Sequence, residues 1–242
     1  MSEDRQVDAS LDSANKVSPT NLQDTTAPTL NEDLALAQLK NRDLAVEAIE
    51  EISQNSGLMK LRKVRLAVAC HPHTPRRVAL KVIRELYTFD LMQFALTPNA
   101  AADLKRIAEE LLVNRLASIT LGERTSLARR ASELVVGALL LDKESRVWQA
   151  ALENPRVTEL AVVRALQKTG ASAAFVVAVS HHSKWSLRPE VQVALLRNAH
   201  TPLAQAIEFA HRIPPAKLRD ILHASRLPEK IKSYLRREIG GE

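Results

Sequence analysis

The residue types that most often do chemistry lie in two short stretches of this chain. Cys70, His71 and His73 fall close together, and a histidine pair follows at 181–182. Zinc needs several such ligands at suitable spacing, so the first stretch would have to borrow a ligand from a distant part of the chain. Ser180 precedes the histidine pair, but no acid is placed to orient a catalytic triad. We therefore predict no metal site, no cofactor, no small-molecule substrate and no enzymatic activity.

The strongest charge feature is a basic stretch between positions 60 and 84, which holds eight basic residues and no acid. At about 100° per residue along a helix, Arg77, Lys81 and Arg84 fall in one sector, and Val78 and Val82 fall in another. The pattern predicts a helix with an exposed cationic stripe opposite its buried face. Such a stripe attracts the carboxylates of an acidic protein segment or the phosphates of a nucleic acid.

These side chains must be positioned by short helices, and the sequence marks where the helices end. A polar residue closes one apolar segment, as in "VWQAALEN", and a second segment such as "TELAVVRAL" soon follows. The outline occurs clearly at four positions and more faintly at Thr97; the four are Asn41, His71, Asn154 and Asn198. Asn and His side chains can bond the backbone groups that a helix end leaves unpaired. We predict that these four residues are structural junctions.

The residues after the junctions indicate where the next helices start. Thr-Pro pairs at 74–75 and 201–202 predict a threonine N-cap followed by proline in the first helical position. Thr158 is predicted to cap its helix without a proline. Thr120 and Glu123 have the spacing of a capping box.

The composition favours helices over strands. Of the 242 residues, 45% are apolar and only 3% are aromatic, which suits short helices packed through aliphatic side chains. One short helix pair cannot bury its apolar stripe alone, whereas stacked pairs share a continuous core. We therefore predict an all-α chain in which residues 34–242 form about seven or eight short helix pairs, stacked as a right-handed α-solenoid.

The charge is divided unevenly along the chain. Residues 1–33 carry seven acids and two bases, whereas the remainder has a net charge of +11. The first segment is too polar to bury a core, so we predict a disordered acidic tail. It is interpreted either as a solubilising leader or as a mask that covers the basic stripe in cis.

Several features bear on the cellular compartment. A single cysteine excludes an internal disulfide, and the N-terminal residues lack the apolar core of a secretory signal. The longest apolar run, at 134–141, is far too short to span a bilayer. These features predict a cytoplasmic protein without membrane contact.

The outline "NPxxTPxxVxxxL" and the segment "SLARRASELVVGALLLDKESRVWQAALENPRVTE" resemble bacterial HEAT-like and leucine-rich-repeat-variant helical repeat proteins. The resemblance covers roughly residues 34–238 and implies HEAT-like repeats whose second helices face a concave groove. Scaffolds of this kind usually bind other macromolecules and occasionally host enzymes. Some are DNA glycosylases, but Trp148 lies in an apolar helix without a matching Asp, so we predict that it is a core residue.

Counting from each junction aligns positions on successive second helices. The positions ten and thirteen residues after the four junctions are Glu51 and Gln54, Lys81 and Arg84, Arg164 and Gln167, and Glu208 and His211. We predict one exposed column that is cationic in the middle of the groove. The alternative is that Glu47 and Glu51 simply form surface ion pairs with Arg77 and Lys81 of the next repeat.

Trp185 falls between two predicted helices. It is interpreted either as an apolar plug between repeats or as a partner-facing anchor, since Trp is frequent at binding hot spots. With Arg77, Lys81, Arg84 and Arg164 it completes the candidate binding residues.

The function predicted from these features is that of a non-enzymatic scaffold or adaptor that binds an acidic protein segment through a basic central groove. The alternative is a nucleic-acid-binding HEAT-like solenoid that contacts the phosphate backbone. The basic body and a basic C-terminal run favour the alternative. The scarcity of aromatic side chains for stacking on bases opposes it.

Overall fold

The computed structural model describes residues 31–240 of the chain, and these residues form sixteen α-helices and no strand. The predicted all-α class is confirmed. In chain order the helices are α1 (Glu32–Lys40), α2 (Val46–Gln54), α3 (Ser56–Lys60), α4 (Arg62–Cys70), α5 (Arg76–Glu85), α6 (Thr88–Ala95), α7 (Ala102–Arg115), α8 (Leu121–Arg130), α9 (Glu133–Leu139), α10 (Ser145–Leu152), α11 (Glu159–Gln167), α12 (Ala173–His181), α13 (Pro189–Leu196), α14 (Leu203–Ala210), α15 (Pro215–His223) and α16 (Glu229–Gly240).

The chain enters its first helix slightly earlier than predicted. Asn31 caps α1 by accepting a hydrogen bond from the Leu34 amide at 2.9 Å, and Glu32 and Asp33 form the first turn. These two acids therefore belong to a helix, where they oppose the positive end of its dipole, and not to the predicted tail. The rest of that tail, residues 1–30, lies outside the described residues.

Two of the predicted caps are confirmed. The Thr158 hydroxyl accepts a hydrogen bond from the Ala161 amide at 3.2 Å at the start of α11. Thr120 and Glu123 form the complete capping box of α8, in which each side chain bonds the backbone of the other residue. Hydrogen bonds from the Thr120 amide and hydroxyl lower the pKa of Glu123, because they favour its ionised form.

The predicted roles of Thr74 and Thr201 as N-caps are wrong. Their hydroxyls point back to the preceding helix and donate to the carbonyls of Val68 and Leu195, each at 2.6 Å. The prolines then stand in the N-cap positions of α5 and α14, so each helix begins one residue later than predicted. Each threonine therefore adds a hydrogen bond at the end of one helix instead of capping the start of the next, on a carbonyl that also accepts from the amide of the junction residue.

The junction asparagines join the ends of two different helices. Nδ2 of Asn154, after α10, donates to the Ala128 carbonyl of α8 at 2.8 Å, and its Oδ1 accepts from the Arg156 amide at 2.8 Å. Nδ2 of Asn198, after α13, donates to the Leu166 carbonyl of α11 at 2.8 Å. Each carboxamide thus closes its own turn and satisfies a carbonyl that another helix end leaves unpaired.

His71 makes the same pair of bonds with an imidazole. Its Nδ1 accepts from the His73 amide at 3.2 Å, so Nε2 carries the proton and donates to the Asn41 carbonyl at 2.9 Å. Asn41 belongs to the series through this carbonyl and through its Oδ1, which accepts from the Asp43 amide at 3.1 Å. The role requires one acceptor and one donor on a short side chain, which explains why Asn and His both fill it.

Three further junctions lie outside the four predicted ones, because Ser225 and Asp142 are other residue types and His182 follows α12, which the predicted outline does not include. Ser225, after α15, donates to the Leu196 carbonyl at 2.6 Å and accepts from the Leu227 amide at 3.0 Å. His182 and Asp142 accept from the amide two residues ahead in the same way. A search for any polar side chain two residues before a turn amide would have found them.

The helices pack against near neighbours in the chain. Every extensive helix–helix contact within residues 31–240 joins helices at most three apart in chain order. Helices α5, α7, α9, α11, α13 and α15 form one series, called the odd row here, in which each helix contacts the next. The contacts of α4 with α6, of α8 with α10, of α10 with α12 and of α14 with α16 run beside this row.

The helix α12 changes the alternation of the repeats. Asn154 follows α10 and bonds back to α8, beside the odd row, whereas Asn198 follows α13 and bonds back to α11, in the odd row. The helix that directly follows Asn198, the second of its predicted pair, is therefore α14, and α14 is outside the odd row. Glu208 and His211, at the end of α14, do not continue the column that Lys81 and Arg164 were predicted to share with them.

Candidate functional site

A groove of about 900 Å³, called groove A, contains most of the predicted cationic stripe. Its walls come from α2, α3 and α5, with Arg65 of α4 and Tyr87 at the start of α6. The lining residues are Glu50, Ser53, Gln54, Ser56, Met59, Lys60, Arg65, Arg77, Val78, Lys81, Val82, Glu85 and Tyr87. Four basic and two acidic side chains give the lining a net positive charge, and Met59, Val78 and Val82 add apolar surface.

Two of the cations in groove A are available to a ligand. Lys60 and Lys81 are exposed and have no acidic partner within salt-bridge distance among residues 31–240. Arg77 is paired, because its Nη2 donates to the Glu50 carboxylate at 2.7 Å. The Arg77 side chain is 78% exposed, so solvent screens this pair and a ligand carboxylate can compete for it.

The ion pair of Arg77 differs from the one that the sequence suggested. Arg77 pairs with Glu50 of α2, whereas the sequence suggested Glu47 and Glu51 as partners. Neither of those two glutamates forms an ion pair with Arg77 or Lys81 among the described residues. Neither of the two pairs considered from the sequence is therefore present among the described residues, and Arg77 pairs with Glu50 instead.

Tyr87 is a site residue that the sequence reasoning missed. Its ring is 58% exposed at the edge of groove A, and the guanidinium groups of Arg65 and Arg62 lie 5.2 and 5.9 Å from its centroid. Arg62 is held by the buried Asp90 through bonds of 2.8 Å, and these raise the pKa of Arg62. The Arg65 guanidinium is held less firmly than that of Arg62, because its buried Nε has no hydrogen-bond partner among the described residues. The only signal in the sequence was an aromatic residue between two helices, because the two arginines approach the ring only in the folded chain.

A second groove, called groove B, holds Arg164. It has a volume of about 570 Å³ and lies over α7, α9 and α11. The lining residues are Glu109, Val113, Glu133, Leu134, Gly137, Ala138, Leu141, Ala161, Arg164, Ala165 and Lys168. Small side chains form the floor, and Leu134 is exposed at its edge. Glu133 is engaged by the Thr158 hydroxyl at 2.5 Å, whereas Arg164 and Lys168 have no acidic partner among residues 31–240.

Groove A is lined by α5 and groove B by α11, and each of these helices is the second helix after its junction. The two helices present the same face to their grooves. Counted from the preceding junction, four lining positions agree, at seven, ten, eleven and fourteen residues: Val78, Lys81, Val82 and Glu85 after His71, and Ala161, Arg164, Ala165 and Lys168 after Asn154. Lys81 and Arg164 thus occupy corresponding places in two separate grooves, and the structure does not bring them into one site. Arg84 is exposed on α5 but lies outside the lining of groove A.

Trp185 is not a partner-facing residue, and that interpretation is wrong. Its side chain is only 2% exposed, and the indole Nε1 donates to the Leu152 carbonyl at the end of α10 at 3.1 Å. The indole therefore acts as the apolar plug between α10 and the turn after α12. Trp148 is also buried, and its ring meets that of Phe175 edge to face at 5.8 Å, which confirms its predicted place in the core.

The residues that suggested metal or nucleophile chemistry have structural roles. Among residues 31–240, no group of three or more His, Cys, Asp or Glu side chains is arranged to hold a metal ion. Both ring nitrogens of His71 are engaged at its junction. The Ser180 hydroxyl donates to the Val177 carbonyl at 2.8 Å, which is an ordinary intrahelical bond.

Cys70 is expected to be a poorly reactive thiol. Burial raises its pKa and outweighs the opposite effect of the Thr97 hydroxyl, which lies 3.6 Å from the sulfur, so little thiolate is present near neutral pH. Alkylation by iodoacetamide at about pH 8, followed by mass spectrometry, should be at least about tenfold slower in the folded protein than in urea. Equal rates in the two conditions would show that the thiol is exposed and its pKa is ordinary.

Comparisons of the chain with protein-family models, with curated proteins and with solved structures found no match. None of the helices in residues 31–240 is long and apolar enough to cross a bilayer.

Proposed function

We propose that this chain is a cytoplasmic, non-enzymatic scaffold or adaptor that binds an acidic protein segment in groove A. The proposed architecture is a right-handed α-solenoid of HEAT-like repeats. The confinement of extensive contacts to near neighbours in the chain supports a linear stack, because a single compact core would bring distant helices together. The junction side chains support it as well, since each bonds the end of an earlier helix.

One observation carries the functional proposal: groove A combines apolar surface with cations that have no acidic partner among residues 31–240. Lys60 and Lys81 supply the charge, and Met59, Val78 and Val82 line the same space. A phosphate backbone would leave that apolar surface uncovered. A peptide with both acidic and apolar side chains would cover it and pair with the cations, which favours a protein ligand. The exposed ring of Tyr87 adds a rigid amphipathic contact at the edge.

The proposal is tested with a defined probe, a fluorescein-labelled peptide Glu-Asp-Leu-Asp-Phe-Glu-Glu, by fluorescence anisotropy at low salt. We expect saturable binding to the full chain and a loss of about tenfold or more in Lys81→Glu. Reversing the charge replaces an attraction by a repulsion, each worth about 1 kcal/mol or more near a protein surface. A second peptide, with Ser in place of Leu and Phe, should bind more weakly because it covers less apolar surface.

The matched control is Arg146→Glu. Arg146 is an exposed arginine on α10, outside grooves A and B, and its reversal changes the net charge by the same amount. It should leave the affinity for the peptide within about twofold. Equal losses of affinity in the two variants would show that the peptide responds to net charge and not to groove A. If single-stranded DNA of about twenty nucleotides binds more tightly than the peptide, with a salt dependence that indicates several phosphate contacts, the nucleic-acid alternative replaces the proposal.

A further inference from the structure

The repetition of one helix face in two grooves suggests more than one binding position. Lys81 on α5 and Arg164 on α11 stand at corresponding positions, ten residues after their junctions. Both helices belong to the odd row, and two helices, α7 and α9, lie between them in that row. The two cations are therefore repeated features of one surface, and each has a groove of its own.

The distance between the two positions follows from helix packing. Neighbouring helices in the odd row are in contact, and packed helices have axes about 8–10 Å apart. Three such steps from α5 to α11 give a separation of about 24–30 Å. An extended chain covers about 3.3–3.6 Å per residue, so about eight residues of a ligand would span the two positions.

The two grooves differ in what they accept. Groove A is cationic across much of its lining, and it suits a cluster of several acids around an apolar side chain. Groove B has a floor of Gly137, Ala138, Ala161 and Ala165, with Arg164 and Lys168 as its cations and Glu109 and Glu133 also in the lining. It suits a bulky apolar side chain followed by a single acid, because additional acids would meet the two glutamates.

We propose that grooves A and B are two subsites for one extended protein segment. That segment carries an acidic cluster for groove A and, about eight residues away, an apolar residue with one adjacent acid for groove B. The inference rests on the proposed function of groove A and adds the second contact and the spacing. Each groove alone offers a modest set of exposed contacts, whereas a ligand that reaches both gains affinity because its second contact is intramolecular.

The test compares single and tandem peptides on the full chain. The single probe is the labelled Glu-Asp-Leu-Asp-Phe-Glu-Glu peptide. The tandem probes join it to Leu-Phe-Asp through Gly-Ser spacers of about two, eight and sixteen residues. Gly-Ser chains have a root-mean-square length of about 5–6 Å times the square root of the residue number, so the sixteen-residue spacer comes closest to the span. We expect that spacer to tighten binding by about tenfold or more over the single probe, the eight-residue spacer to give a smaller gain, and the two-residue spacer to give none.

Variants assign the gain to the two grooves. Arg164→Glu should abolish the gain of the tandem probe and leave the affinity for the single probe unchanged. Lys81→Glu should weaken both probes, and Arg146→Glu should weaken neither. The inference is overturned if no tandem probe binds more than about twofold better than the single probe, or if Arg164→Glu keeps the gain. Either result leaves groove A intact as a site, whereas absence of binding by every probe overturns the proposed function as well.

Discussion

Replacing Trp185 with alanine is expected to lower the free energy of unfolding by about 3–5 kcal/mol. The side chain is the largest of those that are almost fully buried, and its removal leaves a cavity between α10 and the turn after α12. It also leaves the Leu152 carbonyl without the indole donor, which adds to the loss. Urea unfolding followed by circular dichroism measures the change.

Two further variants separate packing from surface contacts at this position. Trp185→Phe keeps an aromatic ring but loses the donor, so we expect a smaller loss of about 1–3 kcal/mol. Lys184→Ala removes the ammonium group that lies 4.1 Å from the indole centroid, and we expect a change below about 1 kcal/mol. If Trp185→Ala unfolds at the urea concentration of the unaltered protein, the plug contributes nothing and the buried position of the indole is wrong.

Asn154→Ala is expected to cost about 2–4 kcal/mol of stability, although it removes only a small polar side chain. The buried carboxamide donates to the Ala128 carbonyl at 2.8 Å and accepts from the Arg156 amide at 2.8 Å. Alanine leaves both backbone groups without these partners at a site that water does not reach. The midpoint of urea unfolding should therefore fall, with little change in the slope of the transition.

The matched control is Asn41→Ala. Asn41 occupies the corresponding position after α1, but it is exposed and its side chain only accepts from the Asp43 amide at 3.1 Å. Water can replace that bond, so a loss below about 1 kcal/mol is expected. Asn154→Asp should be at least as harmful as Asn154→Ala at neutral pH, because a carboxylate cannot donate to the Ala128 carbonyl. Equal costs at positions 41 and 154 would contradict a bridging role for the buried junction.

The binding residues show how far periodicity alone can place a side chain. The spacing of Arg77, Lys81 and Arg84 predicts one exposed sector of α5, and all three are exposed there. It does not predict that Arg77 is paired with Glu50 or that Arg84 lies beyond the lining of groove A. Those outcomes depend on which helix lies opposite, and that helix is not adjacent in the sequence.

Trp185 and Tyr87 show the same limit for aromatic residues. Both residues lie in the short connections between two helices, yet Trp185 is 2% exposed and Tyr87 is 58% exposed. Nothing within a few residues of either ring distinguishes them. The end of α10 covers the first, and two arginines of α4 stand beside the second, so tertiary neighbours decide which ring can meet a ligand.

The sequence by itself determined the all-helical class, the capping box of α8 and the junctions at Asn41, His71, Asn154 and Asn198. These features depend on contacts within a few residues and on the requirement that helix ends satisfy their backbone groups. Tertiary structure alone decided that Trp185 is buried and that α12 places α13 in the odd row and α14 outside it. The physical reason is that local bonds set where a helix begins and ends, whereas burial and groove lining are set by helices that meet only after the chain has packed.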